Sequence, residues 1–253
     1  MYQPLLGCGA TKNFGMALML GVALTVVSGT AIGQDKLLPP PYQMAGTNHV
    51  LIGVVWDEAT IRKALPPGIT PVKEMTGAIN IYQAEKGYVI GPYQSAYFWV
   101  DVEGFDSPEG IKGRWMLAGV YGPQEKTPAA LKEFYGFPVR IGTSRFEPTP
   151  EGKRAIGTVN GQDFITAEIK SVPGACELAT ARVNYPALSE KTKQVVINEI
   201  PFVGEFCKAE PVSVEVTAPA GDAFSAYKIA KVVWAAEFKN GSFSFTYPQP
   251  AKK

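Results

Sequence analysis

Two Asn-Gly pairs constrain this chain more than any other feature. Asn160-Gly161 stands between the run that begins at Lys153 and the apolar run Phe164 to Ile169; Asn240-Gly241 stands between Lys231–Phe238 and Ser242–Tyr247. A two-residue hairpin turn needs positive φ, which Asn and Gly adopt most readily, so each pair predicts a β-hairpin. Further Val-, Ile- and aromatic-rich runs predict strands over 49–56, 78–83, 96–102, 114–121, 139–146, 176–185, 194–200 and 211–217. Only two stretches carry helix signals. Asp57 precedes a run with Ile61 and Leu65 four apart, stopped by Pro66-Pro67-Gly68. Thr127-Pro128 offers a capping hydroxyl and a first-turn proline, and Gly136 ends that helix. The prolines of Leu37–Tyr42 keep that segment extended, Asn184-Tyr185-Pro186 reads as the opening of a loop, and the tail 248–253 reads as frayed. Many short strands with two helices predict a mainly β (α+β) barrel or sandwich.

Residues 1–33 carry one charge, Lys12, ahead of the apolar run Phe14–Ile32, with small Ala31 and Gly33 at its end. This pattern predicts a signal peptide over 1–33, a mature start near Gln34, one domain over 34–253, and a periplasmic or secreted protein with no stable membrane insertion after cleavage. The alternative is an uncleaved anchor, since the run approaches bilayer thickness. Without Lys12 the chain has 23 basic and 23 acidic residues, and no basic stripe, so nucleic acid is not an expected partner. His49 is the only histidine, which argues against His-rich metal sites and His-based relays. Export would leave Cys176 and Cys207 as a candidate disulfide, or as two separate buried thiols.

The octapeptide Glu133–Arg140, EFYGFPVR, resembles the active-site segment of acetoacetate decarboxylases, Glu-x-x-Gly-x-Pro followed by two lysines. Glu133, Gly136 and Pro138 match; Val139 stands where the family has its Schiff-base lysine, and Arg140 where it has the second lysine. Weaker likeness extends from about Leu38 to Tyr247, including IRKALPPGITPV. In that alignment Ser95 and Asn80 replace two cavity glutamates, and the family arginine falls at Thr47 or His49. The resemblance implies a closed, cone-like antiparallel β barrel with an internal cavity, a few short helices, and homo-oligomers.

Valine cannot form an imine, and arginine, always protonated, is no substitute amine nucleophile. The resemblance therefore implies the family's frame without its Schiff base. The candidate ligand contacts are Arg140, as a carboxylate clamp, with Glu133, Tyr93, Ser95 and Asn80. Alternation along a strand places Val139 and Arg140 on opposite faces. The expectation is an exported acetoacetate decarboxylase-like protein that binds a small organic (keto) acid or an apolar ligand, with no cofactor and no metal. The alternative is a lyase of decarboxylase or hydratase type with a remodelled site.

Overall fold

The computed structural model describes residues 37–251; the expected signal peptide and mature start lie outside them. Eleven strands form one sheet. At its centre is β1 (Tyr42–Trp56), antiparallel to β2 (Thr76–Gly87) on one side and to β10 (Ile229–Phe245) on the other. From β2 the path continues through β3 (Tyr93–Val102) and β4 (Gly113–Gly122) to β5 (Val139–Ile141), which joins β4 in parallel. From β10 it continues through β9 (Val195–Val216), β8 (Gln162–Leu188) and β7 (Gly152–Val159) to β6 (Thr143–Pro148). The short β11 (Gln249–Pro250) pairs with β9, so this part of the tail is held rather than frayed.

Hydrogen bonds do not close the sheet into the expected barrel among the described residues: β5 and β6 stand at opposite ends of the ladder path. Those two ends are neighbours in the chain, separated only by Gly142. A Cβ at Gly142 would meet Thr158 O and Val120 Cβ, both at 2.7 Å, so only glycine passes through this seam. The expected single strand over 139–146 is broken at this point.

Asn160-Gly161 makes the predicted hairpin turn, with φ of 50° and 76° and Val159 paired to Gln162. Asn240-Gly241 does not. Strand β10 runs through it, with Gly241 opposite Thr47 and a register shift on its β9 side. The positive φ of Asn240 serves a bulge here, because both flanks go on pairing with β1 and β9. Likewise β8 and β9 each span what reads as two strands, and 184–186 lie inside β8. Pro186 is tolerated because β8 pairs β7 only as far as Lys170, which leaves that edge of its later half unpaired.

Helix α1 (Glu58–Ala64) is capped by Asp57, whose carboxylate accepts from Thr60 N at 3.0 Å. Helix α2 (Lys126–Tyr135) ends at Gly136, with φ 69°. Thr127 does not cap α2; its hydroxyl donates to Ile90 O at 2.7 Å and ties the helix to the loop before β3.

The sheet folds back over both faces of its own centre. Alternation on β2 and β3 sends Ile79, Ile81, Phe98 and Val100 into one core and Ala78, Tyr82, Tyr93 and Trp99 into another. The long bent β8 serves both: Ile165, Ala167 and Ile169 enter the first, and Val183, Tyr185 and Ala187 the second.

Candidate functional site

The second core borders a half-open cavity of about 130 Å³. Most of its wall is apolar: six phenylalanines with Leu51, Met116, Val183 and Ile200. The polar wall comes from inward positions of four adjacent strands and of β8: His49 on β1, Asn80 and Tyr82 on β2, Tyr97 on β3, Arg114 and Tyr121 on β4, and Tyr185 on β8. Cross-strand pairing places His49 opposite Tyr82 and Asn80 opposite Tyr97.

These groups form a chain of contacts. Asn80 holds His49 Nδ1 through its amide, at 3.1–3.2 Å, and donates to Tyr97 OH at 3.0 Å. The Tyr97 and Tyr185 hydroxyls meet at 2.9 Å, and Arg114 Nη1 lies 3.5 Å from Tyr185 OH. Among the described residues Arg114 is the only charged side chain of the lining, and its guanidinium sits 4.6 Å over the Trp99 ring, whose Nε1 donates to Asp101. Burial opposes the charge on Arg114, but the Tyr185 hydroxyl, Tyr97 and Asp101 outweigh it, so its pKa lies above the usual value. Burial, reinforced by the neighbouring phenols, pushes Tyr82, Tyr93, Tyr97 and Tyr121 well above the usual tyrosine range, which keeps them neutral. Burial also lowers His49 to about 3, against the Asn80 hydrogen bond, so its imidazole is neutral. The site is thus a neutral, aromatic chamber with one fixed cation.

Of the residues singled out in the sequence, Asn80 and His49, where the alignment puts a family glutamate and one choice for the family arginine, line this cavity. Tyr93 and Ser95 are buried in the layer behind it: the Tyr93 hydroxyl meets Tyr82 OH at 2.8 Å, and Ser95 pairs with Tyr82 and Tyr121 across the strands. Glu133 and Arg140 are placed elsewhere. Glu133 is exposed on α2 and pairs with Lys191 at 3.2 Å. Arg140 pairs with Asp222 at 2.5 Å, at the cap of a 3₁₀ turn (Ala223–Ala226), with Phe224 beneath it. The strand alternation explains the split: Val139 packs on the second core, and Arg140 points to the other side. No lysine lines the cavity among the described residues.

Arg114, Tyr82 and Tyr185 were not among the candidates. Arg114 had a signal, as the one charge heading an apolar strand; Asn184-Tyr185 resembles an Asn-Tyr of the family, but was read as the opening of a loop because its strand reads as ending there. Cys176 and Cys207 are bonded and join β8 to β9. No group of three or more His, Cys, Asp or Glu side chains is placed to hold a metal among the described residues. A wider outer groove of about 750 Å³, bordered by Lys86, Tyr88 and Val203, shares Phe202 and Phe243 with the cavity.

No protein-family model matches the chain, and no curated protein matches it by sequence. Solved structures do match. Acetoacetate decarboxylase from Legionella pneumophila subsp. pneumophila str. Philadelphia 1 superposes with a TM-score of 0.65 at 13% identity, over 85% of this chain and 88% of that one. The enduracididine biosynthesis enzyme MppR, complexed with pyruvate, gives 0.62 at 14% identity, over 94% and 99%. An acetoacetate decarboxylase-like enzyme from Sphingomonas wittichii RW1 gives 0.58 at 13%, over 85% and 94%. At such identities the likeness is one of architecture: this chain has the acetoacetate decarboxylase-like fold.

Proposed function

We propose that this chain is an exported binding protein that holds a small organic acid, oxo acids included, or an apolar molecule of similar size in the aromatic cavity, without Schiff-base chemistry. The observation that carries this reading is a neutral, mostly apolar chamber with Arg114 as its one charged side chain. A guanidinium recognises a carboxylate, and the phenylalanines receive an apolar body. Cavities of roughly 150 Å³ accept benzene, so about 130 Å³ suits a ligand of that order. A fold neighbour holding pyruvate supports the oxo-acid class. Val139 at the position of the family lysine, and a lining without amines, speak against an imine. A disulfide fits an oxidising compartment, in line with an export signal over 1–33.

The test pairs calorimetry with trapping. Small carboxylic acids should bind the wild type and lose at least about tenfold in affinity in Arg114→Gln, the scale of one lost charge-assisted bond. Incubation with acetoacetate or pyruvate plus borohydride should leave the intact mass unchanged; a lysine adduct would overturn the reading. A second reading, a lyase of decarboxylase or hydratase type, draws on the fold neighbours that are decarboxylases or decarboxylase-like enzymes. Release of carbon dioxide, or loss of water, from an added acid would establish it.

A further inference from the structure

His49 is held on every side but one. Its ring stacks on Tyr82, with centroids 4.5 Å apart and planes 1° from parallel, and meets the edges of Phe238 and Phe243 at 5.2 and 6.1 Å. Asn80 holds Nδ1. The other nitrogen, Nε2, is buried and finds no partner among the described residues, although the residue lines the cavity. A buried polar atom left without a partner costs roughly 1–3 kcal/mol, a cost that a ligand group in the cavity would remove. Ser95 and Thr47 also bury an idle hydroxyl, but neither lines the cavity.

Resting on the reading that an acid is held at Arg114, we propose that His49 Nε2 is the second polar contact, and that the ligand is a small hydroxyaryl acid whose hydroxyl lies at the end remote from its carboxylate. Three features of the site select that class. Asn80 presents both amide atoms to Nδ1, so Nε2 is an acceptor in one tautomer and a donor in the other. A hydroxyl satisfies either, whereas a ketone oxygen satisfies only the donor form. His49 stands on β1 and Arg114 on β4, with β2 and β3 between them. The two groups stand at the two ends of a chain of four polar contacts of 2.9–3.5 Å through Asn80, Tyr97 and Tyr185, so they address opposite ends of a ligand rather than adjacent carbons. Between them the lining is aromatic, which favours a ring in edge and offset contacts. With the carboxylate at Arg114, the ring occupies the aromatic part of the chamber.

Titration calorimetry of the full chain with benzoate, 2-hydroxybenzoate and 4-hydroxybenzoate tests this. The wild type should bind 4-hydroxybenzoate about tenfold or more tighter than benzoate. It should gain nothing from the 2-hydroxyl, which lies beside the carboxylate. His49→Phe keeps an aromatic ring on Tyr82 and removes the nitrogen; it should erase the preference while still binding benzoate. Equal wild-type affinities for benzoate and 4-hydroxybenzoate would overturn the inference, and so would a preference that survives in His49→Phe. If benzoate binding falls in Arg114→Gln while no 4-hydroxyl preference exists, the acid site stands and the role of His49 falls. If none of the three acids binds the wild type, both fall.

Discussion

His49 is the only histidine of the chain, so its titration can be read without interference from another imidazole. Folded, its pKa is held down to about 3 by burial; unfolded, it returns to about 6.5. Between these values the unfolded chain binds the extra proton, so stability rises with pH across that window and is lost as the pH falls through it. From pH 7 to pH 5 the loss should be about 2 kcal/mol. The carboxylates with lowered pKa act in a lower window. Burial opposes the charge of Asp222, but Arg140 and the Phe224 amide outweigh it; Arg145 holds Asp163 down. Urea unfolding at the two pH values should show the drop in wild type and a flatter response in His49→Phe; parallel responses would refute a buried neutral imidazole. At this scale the sequence was half legible. The family resemblance put Asn80 in the cavity, and period-two alternation separated Val139 from Arg140. It could not say what covers each face. Arg140 meets a partner 82 residues away, and Glu133 one 58 residues away, pairings that no local pattern encodes.

At the scale of elements, the long bent strands decide the architecture, and they are what the sequence concealed. Pro173 and Gly174 between two apolar runs read as a loop, yet β8 bulges there, between Ser171 and Cys176, and resumes pairing with β9 at Cys176–Cys207. Long-range pairing on both flanks overrides the local turn signal, as it does at Asn240-Gly241. The strands and helices whose signals are local, α1 behind Asp57 and the 160–161 hairpin, were legible for the same reason. The disulfide spans 31 residues, which β8, its loop and β9 close into a hairpin beside the bulge. Chain-entropy arguments give such a crosslink about 4 kcal/mol of stabilisation. Reduction, or the double change Cys176→Ala with Cys207→Ala, should lower the unfolding free energy by that order in guanidinium titrations. Unchanged midpoints would mean that the 20 backbone pairings between β8 and β9 hold the hairpin register without it.

For the molecule as a whole, the consequential fact is that one sheet supplies both the centre and its two covers. Strands β1, β2 and β3 have a neighbour on each edge and a core on each face, so an amide there opens only with both cores. The ends of the path differ. Strand β5 is three residues long, and β6 is fastened to the centre by side chains: Ser144 Oγ donates to Tyr82 O at 2.8 Å and Gln83 Nε2 to Ser144 O at 3.2 Å. Opening free energies should therefore fall from the centre outwards along the ladder order rather than along the chain. Hydrogen exchange read by mass spectrometry should find the slowest amides in peptides over 50–55, 78–83 and 95–100. Those over 139–148 should exchange much sooner, even though they follow the helix that carries the most recognisable motif of the sequence. Ser144→Ala removes one seam contact, worth about 1 kcal/mol, and should speed exchange in β6 while leaving the β1–β3 amides slow. If 139–148 were instead as protected as the centre, the seam at Gly142 would be closed as firmly as a hydrogen-bonded ladder, and the sheet would behave as a true barrel.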